Sequence, residues 1–306
     1  MKNLITILGP TATGKTKLAT ALSAFIGGEI ISADSRQVYR GMNIGTGKDL
    51  EDYVVNGNRI PYHLIDIVDP GYEYNIFQYQ KDFAKAFNNI SERNKVPVLV
   101  GGSGLYLDAV INKYELKAVP EDAFLRKQLS RLTDDELREK LKSYGALHNT
   151  TDLIERNRMV RAIEIKEYER LNPDKVIDMP SVDAVTFGIS YDRQEIRQRI
   201  TDRLTFRLNN GMIEEVEHLL ATGLKPEQLT FYGLEYKWLT LYVTGQISYD
   251  GMFSNLNTAI HQFAKRQMTW FRRMEKKGVK IYWIDGSIPM ENRLNAVLKV
   301  LATVKF

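Results

Sequence analysis

Residues Gly9-Pro10-Thr11-Ala12-Thr13-Gly14-Lys15-Thr16 set two glycines, a lysine and a hydroxyl at the spacing GxxxxGK[ST]. That spacing lets successive backbone N–H groups surround two linked phosphates, brings an ammonium to their charge and offers a hydroxyl to a divalent cation. A diphosphate-binding loop is the expectation, with Lys15 neutralising charge and Thr16 reaching Mg²⁺. Hydrolysis of ATP would also need an acid at the end of a neighbouring apolar strand. Here Val96 to Val100 runs into Gly101-Gly102-Ser103-Gly104 without one, and Asp66 and Asp69 are the nearest substitutes. The four histidines His63, His148, His218 and His261 lack metal-ligand spacing. With no cysteine, neither a disulfide framework nor a thiolate zinc site can form.

The loop needs a strand before it and a helix after it, and both patterns are present. Leu4 to Leu8 is a short apolar run, and Leu18, Ala21, Leu22 and Phe25 follow at helical spacing. Glu29 to Ser32 is a second short run, ending at Asp34, where a carboxylate could either face the loop or cap the next turn. His63 to Val68 and Val96 to Val100 are predicted as buried strands, with a helix over Ile76 to Arg93 that turns Phe83, Ala86, Phe87 and Ile90 inward. Alternating strands and helices predict an α/β fold, a P-loop NTPase-like parallel sheet covered by helices. From Glu121 to Arg170 the pattern is charged helices around Leu125, Leu129, Leu132, Leu137 and Leu141, without a strand. The expected division is therefore a core of 1–114 with 183–306, and a helical insertion of 115–182. Val185 to Ser190 returns to strand character, Gln194 to Thr222 reads as one long helix closed by Gly223, and Lys280 to Ile284 as a last strand before a closing helix.

Charge is distributed unevenly. The chain has 306 residues and a formal net charge of +4. Residues 1–110 hold 11 Lys and Arg against 11 Asp and Glu, so the whole excess lies beyond them. Residues 258–280 hold Lys265, Arg266, Arg272, Arg273, Lys276, Lys277 and Lys280 against Glu275 alone. If Ile260 to Lys277 is a helix, Ile260, Phe263, Ala264, Phe271 and Met274 form one stripe, and Lys265, Thr269, Arg272 and Lys276 another. One stripe would pack and the other would face solvent or a phosphate backbone. No apolar run reaches the length of a membrane span, and the first residues lead into the loop instead of a cleavage site.

Six blocks in this order, GPTATGKT at 9–16, ADSRQVYRGMNIGTGK at 33–48, HLIDIVDP at 63–70, VLVGGSGLYL at 98–107, RNRMVRAIEI at 156–165 and AKRQMTWFR at 264–272, cover most of the chain. In these blocks the chain resembles the tRNA dimethylallyltransferases, also called tRNA isopentenyltransferases. The resemblance implies that residues 9 to 16 hold dimethylallyl diphosphate as a leaving group, which accounts for the missing acid. It implies attack by N6 of adenosine 37 in tRNA on C1 of the dimethylallyl group, giving N6-dimethylallyladenosine. Asp34 then matches the general base, while Ser103, standing where the family usually has Thr, and Arg126 correspond to residues that offset charge on the departing diphosphate. Asp34, Ser35, Arg36 and Gln37 would read the extruded base and its neighbour. Asn157, Arg158 and Arg161 would grip the loop, with an intrahelical Arg161–Glu164 pair as the competing explanation, and Lys265, Arg266, Gln267, Thr269 and Arg272 would contact the anticodon stem. The implied partners are the tRNA anticodon stem-loop and dimethylallyl diphosphate, with Mg²⁺ as cofactor, no membrane, and a cytoplasmic monomer.

Three positions depart from the family pattern: Glu235 where a glycine is usual, His261 where arginine is frequent, and His148-Asn149-Thr150-Thr151 in place of an Asp-Pro pair. An acid at 235 facing RNA would repel it. Three other readings stay open: an enzyme that prenylates free AMP or ATP, a P-loop kinase or ATPase, and a tRNA-binding relative without catalysis.

Overall fold

The computed structural model describes residues 2–145, 153–172 and 179–305. In chain order the elements are β1 (Leu4–Leu8), α1 (Lys15–Ile26), β2 (Glu29–Ala33), a 3₁₀ turn (Leu50–Tyr53), the short pair β3 (Val54–Val55) and β4 (Asn58–Arg59), β5 (Tyr62–His63), α2 (Ile76–Glu92), β6 (Pro97–Gly101), α3 (Gly104–Ile111), α4 (Ala123–Leu129), α5 (Asp134–Ser143), α6 (Arg156–Leu171), β7 (Ala184–Ser190), α7 (Arg193–Leu208), α8 (Met212–Ala221), α9 (Pro226–Phe231), α10 (Leu234–Val243), α11 (Tyr249–Lys276), β8 (Ile281–Asp285) and α12 (Met290–Leu301).

Six strands form one parallel sheet in the order β5-β2-β6-β1-β7-β8. Side chains alternate across its pleat, and both faces are apolar because both are covered. Leu4, Leu8, Ile31, Ala33 and Leu99 pack with α2, α3 and α11, around Tyr79, Phe83, Leu107 and Phe271. Ile5, Ile7, Ile30, Val98, Val100 and Phe187 face the other way onto Leu18 and Leu22 of α1 and Val297 of α12. A third cluster, with Leu204, Val216, Leu229, Leu239 and Ile260, joins α7 to α11. The chain divides into two compact units, one of residues 1–114 with 179–306 and one of 115–178. In the second, Leu129, Leu137, Leu141, Met159 and Ile163 make a separate small core. Thr133 and Glu136 close a reciprocal capping box at the start of α5. Among the described residues no helix is long and apolar enough to cross a membrane.

Two expected elements differ. The predicted strand His63 to Val68 stops at His63, because Leu64 and Asp66 adopt left-handed backbones (φ 64° and 56°). Beyond it, the Asp66 and Ile67 amides bond to the Gln37 and Val38 carbonyls of the preceding loop. The predicted helix Gln194 to Thr222 is two helices, broken at Asn209-Asn210-Gly211. Gly211 takes φ 93°, which a side chain would resist, and Asn210 donates to the Phe206 carbonyl at 2.6 Å. The helix expected over Ile260 to Lys277 begins earlier, at Tyr249, where Ser248 caps the Gly251 amide. Its packed stripe omits Phe263, which is 38% exposed, and includes Gln267.

Candidate active site

The carboxyl ends of β1, β2 and β6 lie side by side in the sheet, and each runs into a functional turn, the placement expected of ligand sites in parallel α/β sheets. After β1, Ala12 and Gly14 take left-handed backbones (φ 64° and 76°) and α1 opens at Lys15. Alternation of backbone handedness turns successive amides to one side, and the helix start adds its partial positive charge. Thr13 Oγ1 donates to the Pro10 carbonyl at 2.8 Å and braces the loop from inside. Gly9 admits no side chain: a Cβ there would stand 2.9 Å from Thr13 Oγ1 and 3.1 Å from the Ile189 carbonyl.

After β2, Asp34 Oδ1 accepts the Arg36 amide at 2.9 Å, so the capping reading of this residue is realised. Its second oxygen has no hydrogen-bond partner among the described residues. After β6, Ser103 Oγ accepts the Ser35 amide at 3.0 Å, and the Ser103 amide donates to the Ala33 carbonyl at 3.2 Å. A Cβ on Gly101 would overlap that carbonyl, and one on Gly104 would overlap Trp270, so the glycines permit close approach of β2 and α11. The Ser103 hydroxyl thus ties the Asp34 turn to the Gly-rich turn.

Several residues outside the motifs complete the site. Arg199, Arg203 and Arg207 recur every fourth residue on α7, one face of a helix. Arg199 Nε donates to the Ala12 carbonyl at 3.1 Å, the Arg203 guanidinium donates to Thr11 Oγ1, and Arg207 bonds both Asp49 oxygens at 2.8 and 2.6 Å. The four-residue spacing was the available signal, but it is indistinguishable in sequence from a solvated helix face. Glu215 of α8 accepts the amides of Asn43, Ile44 and Gly45 at 2.8, 2.7 and 3.0 Å and the Tyr236 hydroxyl at 2.6 Å. It therefore holds the loop that descends from Asp34.

Electrostatics in this cleft are coupled. Burial pushes the Lys15 ammonium down to about 8, against the opposing pull of Asp34, with Arg203 lowering it further. Burial, with Arg207 beside it, lowers Arg203 to about 10. Burial raises Glu235, and Arg203 and Arg207 oppose that rise. Glu235, expected to repel RNA if it faced it, opens α10, is half-buried and sits in the field of the two arginines. Lys15, Arg203 and Arg207 thus share one electrostatic neighbourhood with Asp34, Asp49 and Glu235.

Two predicted RNA-reading residues are engaged elsewhere. Gln267 is buried; its Oε1 accepts the Thr11 amide at 2.9 Å and its Nε2 donates to the Gly102 carbonyl at 2.9 Å, bolting the phosphate loop to the Gly-rich turn. Gln37 is likewise buried, accepting from Ser32 Oγ at 2.9 Å and donating to the Gly47 carbonyl at 3.0 Å. The sequence expectation had both amides on RNA; in the structure their bonds tie α11 to the phosphate loop and the Gly-rich turn, and β2 to the loop before Lys48. Lys265, Arg266, Thr269 and Arg272 are exposed on α11. His261 of α11 turns toward α7, 3.3 Å from the Arg197 carbonyl and 3.4 Å from Thr201 Oγ1, and burial lowers its imidazole.

In the smaller unit, Glu164 gathers Arg126 at 3.0 and 3.1 Å, the Asp122 amide at 2.6 Å and the Arg161 guanidinium. Arg161 also donates to the Val119 carbonyl at 2.6 Å. The intrahelical pair is thus present. Asn157 is exposed, and Arg158 pairs with Glu155 at 3.1 Å on the surface. The departure at 148–151 lies outside the described residues.

The two substitutes for a metal-holding acid are engaged too. Asp66 pairs with buried Lys48, whose Nζ also reaches the Tyr39 carbonyl at 2.5 Å, and Asp69 pairs with Arg40 at 2.9 Å on the surface. Among the described residues no group of three or more His, Cys, Asp or Glu could hold a metal ion. Thr16, half-buried in the first turn of α1, supplies a hard hydroxyl oxygen.

A parallel, doubly covered sheet with an anion cradle at its first strand–helix turn defines a P-loop protein of the α/β class. Residues 37–274 match the family described as IPP transferase, and the chain belongs to that family. It is 54% identical over 299 residues to tRNA dimethylallyltransferase 2 of Bacteroides fragilis, covering 98% of each chain. To tRNA dimethylallyltransferase 1 of Parabacteroides distasonis it is 52% identical over 298 residues, 97% of each. Its structure is similar to that of the tRNA isopentenylpyrophosphate transferase of Bacillus halodurans, with a TM-score of 0.72, 30% identity, and 99% and 96% of the two chains covered. The fold is shared as well with a eukaryotic dimethylallyltransferase acting on tRNA, at a TM-score of 0.77 and 24% identity, covering 99% of this chain and 78% of that one.

Proposed function

We propose that this chain transfers a dimethylallyl group from dimethylallyl diphosphate to N6 of adenosine 37 in tRNA. One observation carries the reading: a cationic cradle at the end of β1 lies in the field of a carboxylate at the end of β2, with β6 between the two strands, while both acids that could have served an ATPase are held in ion pairs. Such a site suits departure of a multiply charged anion more than attack of water on one.

In the step proposed, the N6 lone pair forms a bond to C1, the C1–O bond breaks, and diphosphate leaves with that electron pair. The N6 proton passes to Asp34. An exocyclic adenine amine is a weak nucleophile because its lone pair is delocalised, so alignment, proton removal and leaving-group stabilisation share the rate enhancement. The loop amides, Lys15 and Arg203 hold the diphosphate, and Ser103 keeps the Asp34 turn in register with them. Thr16 fits a hard cation such as Mg²⁺, which takes few protein ligands and completes its shell with phosphate oxygens and water. When bound there, it would offset charge on the leaving group.

The adenosine must leave its stack to reach C1. Lys265, Arg266, Thr269 and Arg272 on α11 suit the phosphates of the anticodon stem. Asn157 and Arg158 suit the loop, whereas Arg126 and Arg161 order the unit that carries them.

The test is a transfer assay with Mg²⁺ and labelled dimethylallyl diphosphate, offering unmodified tRNA with A36 and A37, the same tRNA with A37 replaced, and free AMP. Label on the first alone is expected. Label on AMP would replace this reading with free-nucleotide prenylation, and label on none, with tRNA still bound, would indicate a binding protein without transfer.

A further inference from the structure

Phe231 ends α9 with 57% of its surface exposed, yet it is a fixed ring. It packs edge-on against Tyr232 at 5.8 Å and 82°, and Tyr232 packs edge-on against buried Tyr39 at 4.7 Å and 66°. The Tyr232 hydroxyl further accepts the Gly71 amide. Over the Phe231 ring, 5.6 Å from its centre, lies the Arg36 guanidinium. The Arg36 backbone is held by its amide, the donor to Asp34 Oδ1 at 2.9 Å, and its side chain is half-buried. Gly233 follows with φ 131°, a backbone that favours glycine, and turns the chain from α9 into α10. An aromatic ladder thus presents a partly bare ring and a planar cation two residues from the carboxylate assigned as base.

We propose that Phe231 and Arg36 form a stacking surface for the unpaired nucleobase next to the extruded adenosine. The proposal rests on the tRNA reading above, in which Arg36 already lies near that base, and adds to it Phe231 as the ring that receives the base. Extruding one base exposes the π-face of the next, and proteins that bind splayed loops cover such faces with aromatic rings and guanidinium planes. A ring on a rigid support loses little conformational freedom on binding, and a guanidinium beside it adds attraction to the RNA without demanding a particular base. Base identity at this position is then set less by the platform than by contacts to the base edge.

The experiment uses the full chain and an anticodon stem-loop carrying 2-aminopurine at position 36 or at position 38. Wild type should quench the fluorophore at one of the two. Phe231→Leu, which keeps an apolar side chain without a ring, should lose that quench and raise KM for the stem-loop about tenfold. KM for dimethylallyl diphosphate should not follow, and Phe231→Trp should restore both the quench and the stem-loop KM. Circular dichroism and melting of each variant verify that the chain is folded. Equal quenching in wild type and Phe231→Leu, or an unchanged stem-loop KM, overturns the platform while leaving the transfer reading intact. Absence of both transfer and stem-loop binding in wild type removes the tRNA reading and the platform with it.

Discussion

Asp34 makes two demands on one carboxylate, and they can be separated. Its Oδ1 caps the Arg36 amide, which asparagine can still do, whereas only a carboxylate can take the N6 proton. Asp34→Asn is therefore expected to lower the transfer rate by about 10²- to 10⁴-fold while leaving stem-loop affinity within about threefold. Single-turnover rates and a binding titration check this, and unchanged turnover would remove the role. Lys15 makes a pH prediction of definite sign. Burial holds the free protein's ammonium at about 8, below its ordinary value. Proton loss above that pH removes the charge that receives the diphosphate, so kcat/KM for dimethylallyl diphosphate should fall about tenfold per unit in that limb. Bound diphosphate favours the ammonium, so kcat should stay level to higher pH. The same shift bears on stability: the unfolded chain binds more protons than the folded one between about 8 and the ordinary lysine value. The penalty on folding is thus fully present below that window and relieved as pH rises through it. Denaturant midpoints across the window measure that rise after the contribution of other groups is subtracted using a Lys15→Met reference.

At the scale of elements, α11 shows what a sequence pattern can and cannot carry. Its periodicity identified a helix with one charged face, and Lys265, Thr269, Arg272 and Lys276 are indeed exposed. Nothing in that periodicity distinguishes Gln267 from its polar neighbours, because the partners of its amide lie 256 residues away at Thr11 and 165 away at Gly102. The Gln37 amide is spent closer by, on Ser32 and Gly47, and its polar neighbours in the sequence do not reveal that either. The strands β1, β2, β6 and β7 were legible since a parallel strand buried on both faces must be almost wholly apolar. The His63 to Val68 segment was not, since its apolar residues are buried by a loop instead of a ladder. The Asn-Asn-Gly break in α7–α8 was legible as turn chemistry and was overridden by the apolar pattern on both sides of it. The role of Gln267 can be measured. Gln267→Ala leaves the Thr11 amide and Gly102 carbonyl without their partner, at a cost of about 1–3 kcal/mol. The phosphate loop loses a brace, so KM for dimethylallyl diphosphate should rise while stem-loop affinity changes little. A variant with weakened RNA binding and an unchanged donor KM would return Gln267 to the RNA face.

Across the whole molecule, the balance of charge separates the two substrates. Residues 1–110, which bear the phosphate loop, Asp34 and Ser103, hold equal numbers of acidic and basic residues. The cations of the site itself are local, Arg207 buried and Lys15 and Arg203 half-buried, so contacts they make to a diphosphate should be short and screened weakly by salt. The exposed cations of α11 meet solvent, and contacts they make to RNA should release condensed counterions. The combined substitution Lys265→Ala, Arg266→Ala and Arg272→Ala is therefore expected to weaken tRNA binding, and to flatten the slope of log affinity against log salt by about 2 to 3 for three lost phosphate contacts. KM for dimethylallyl diphosphate should be nearly unaffected, because none of the three touches the loop. Binding titrations over a range of salt concentrations give both numbers. An unchanged slope would mean that RNA phosphates are neutralised elsewhere on the protein, and a raised donor KM would mean that α11 transmits the change to the loop through Gln267.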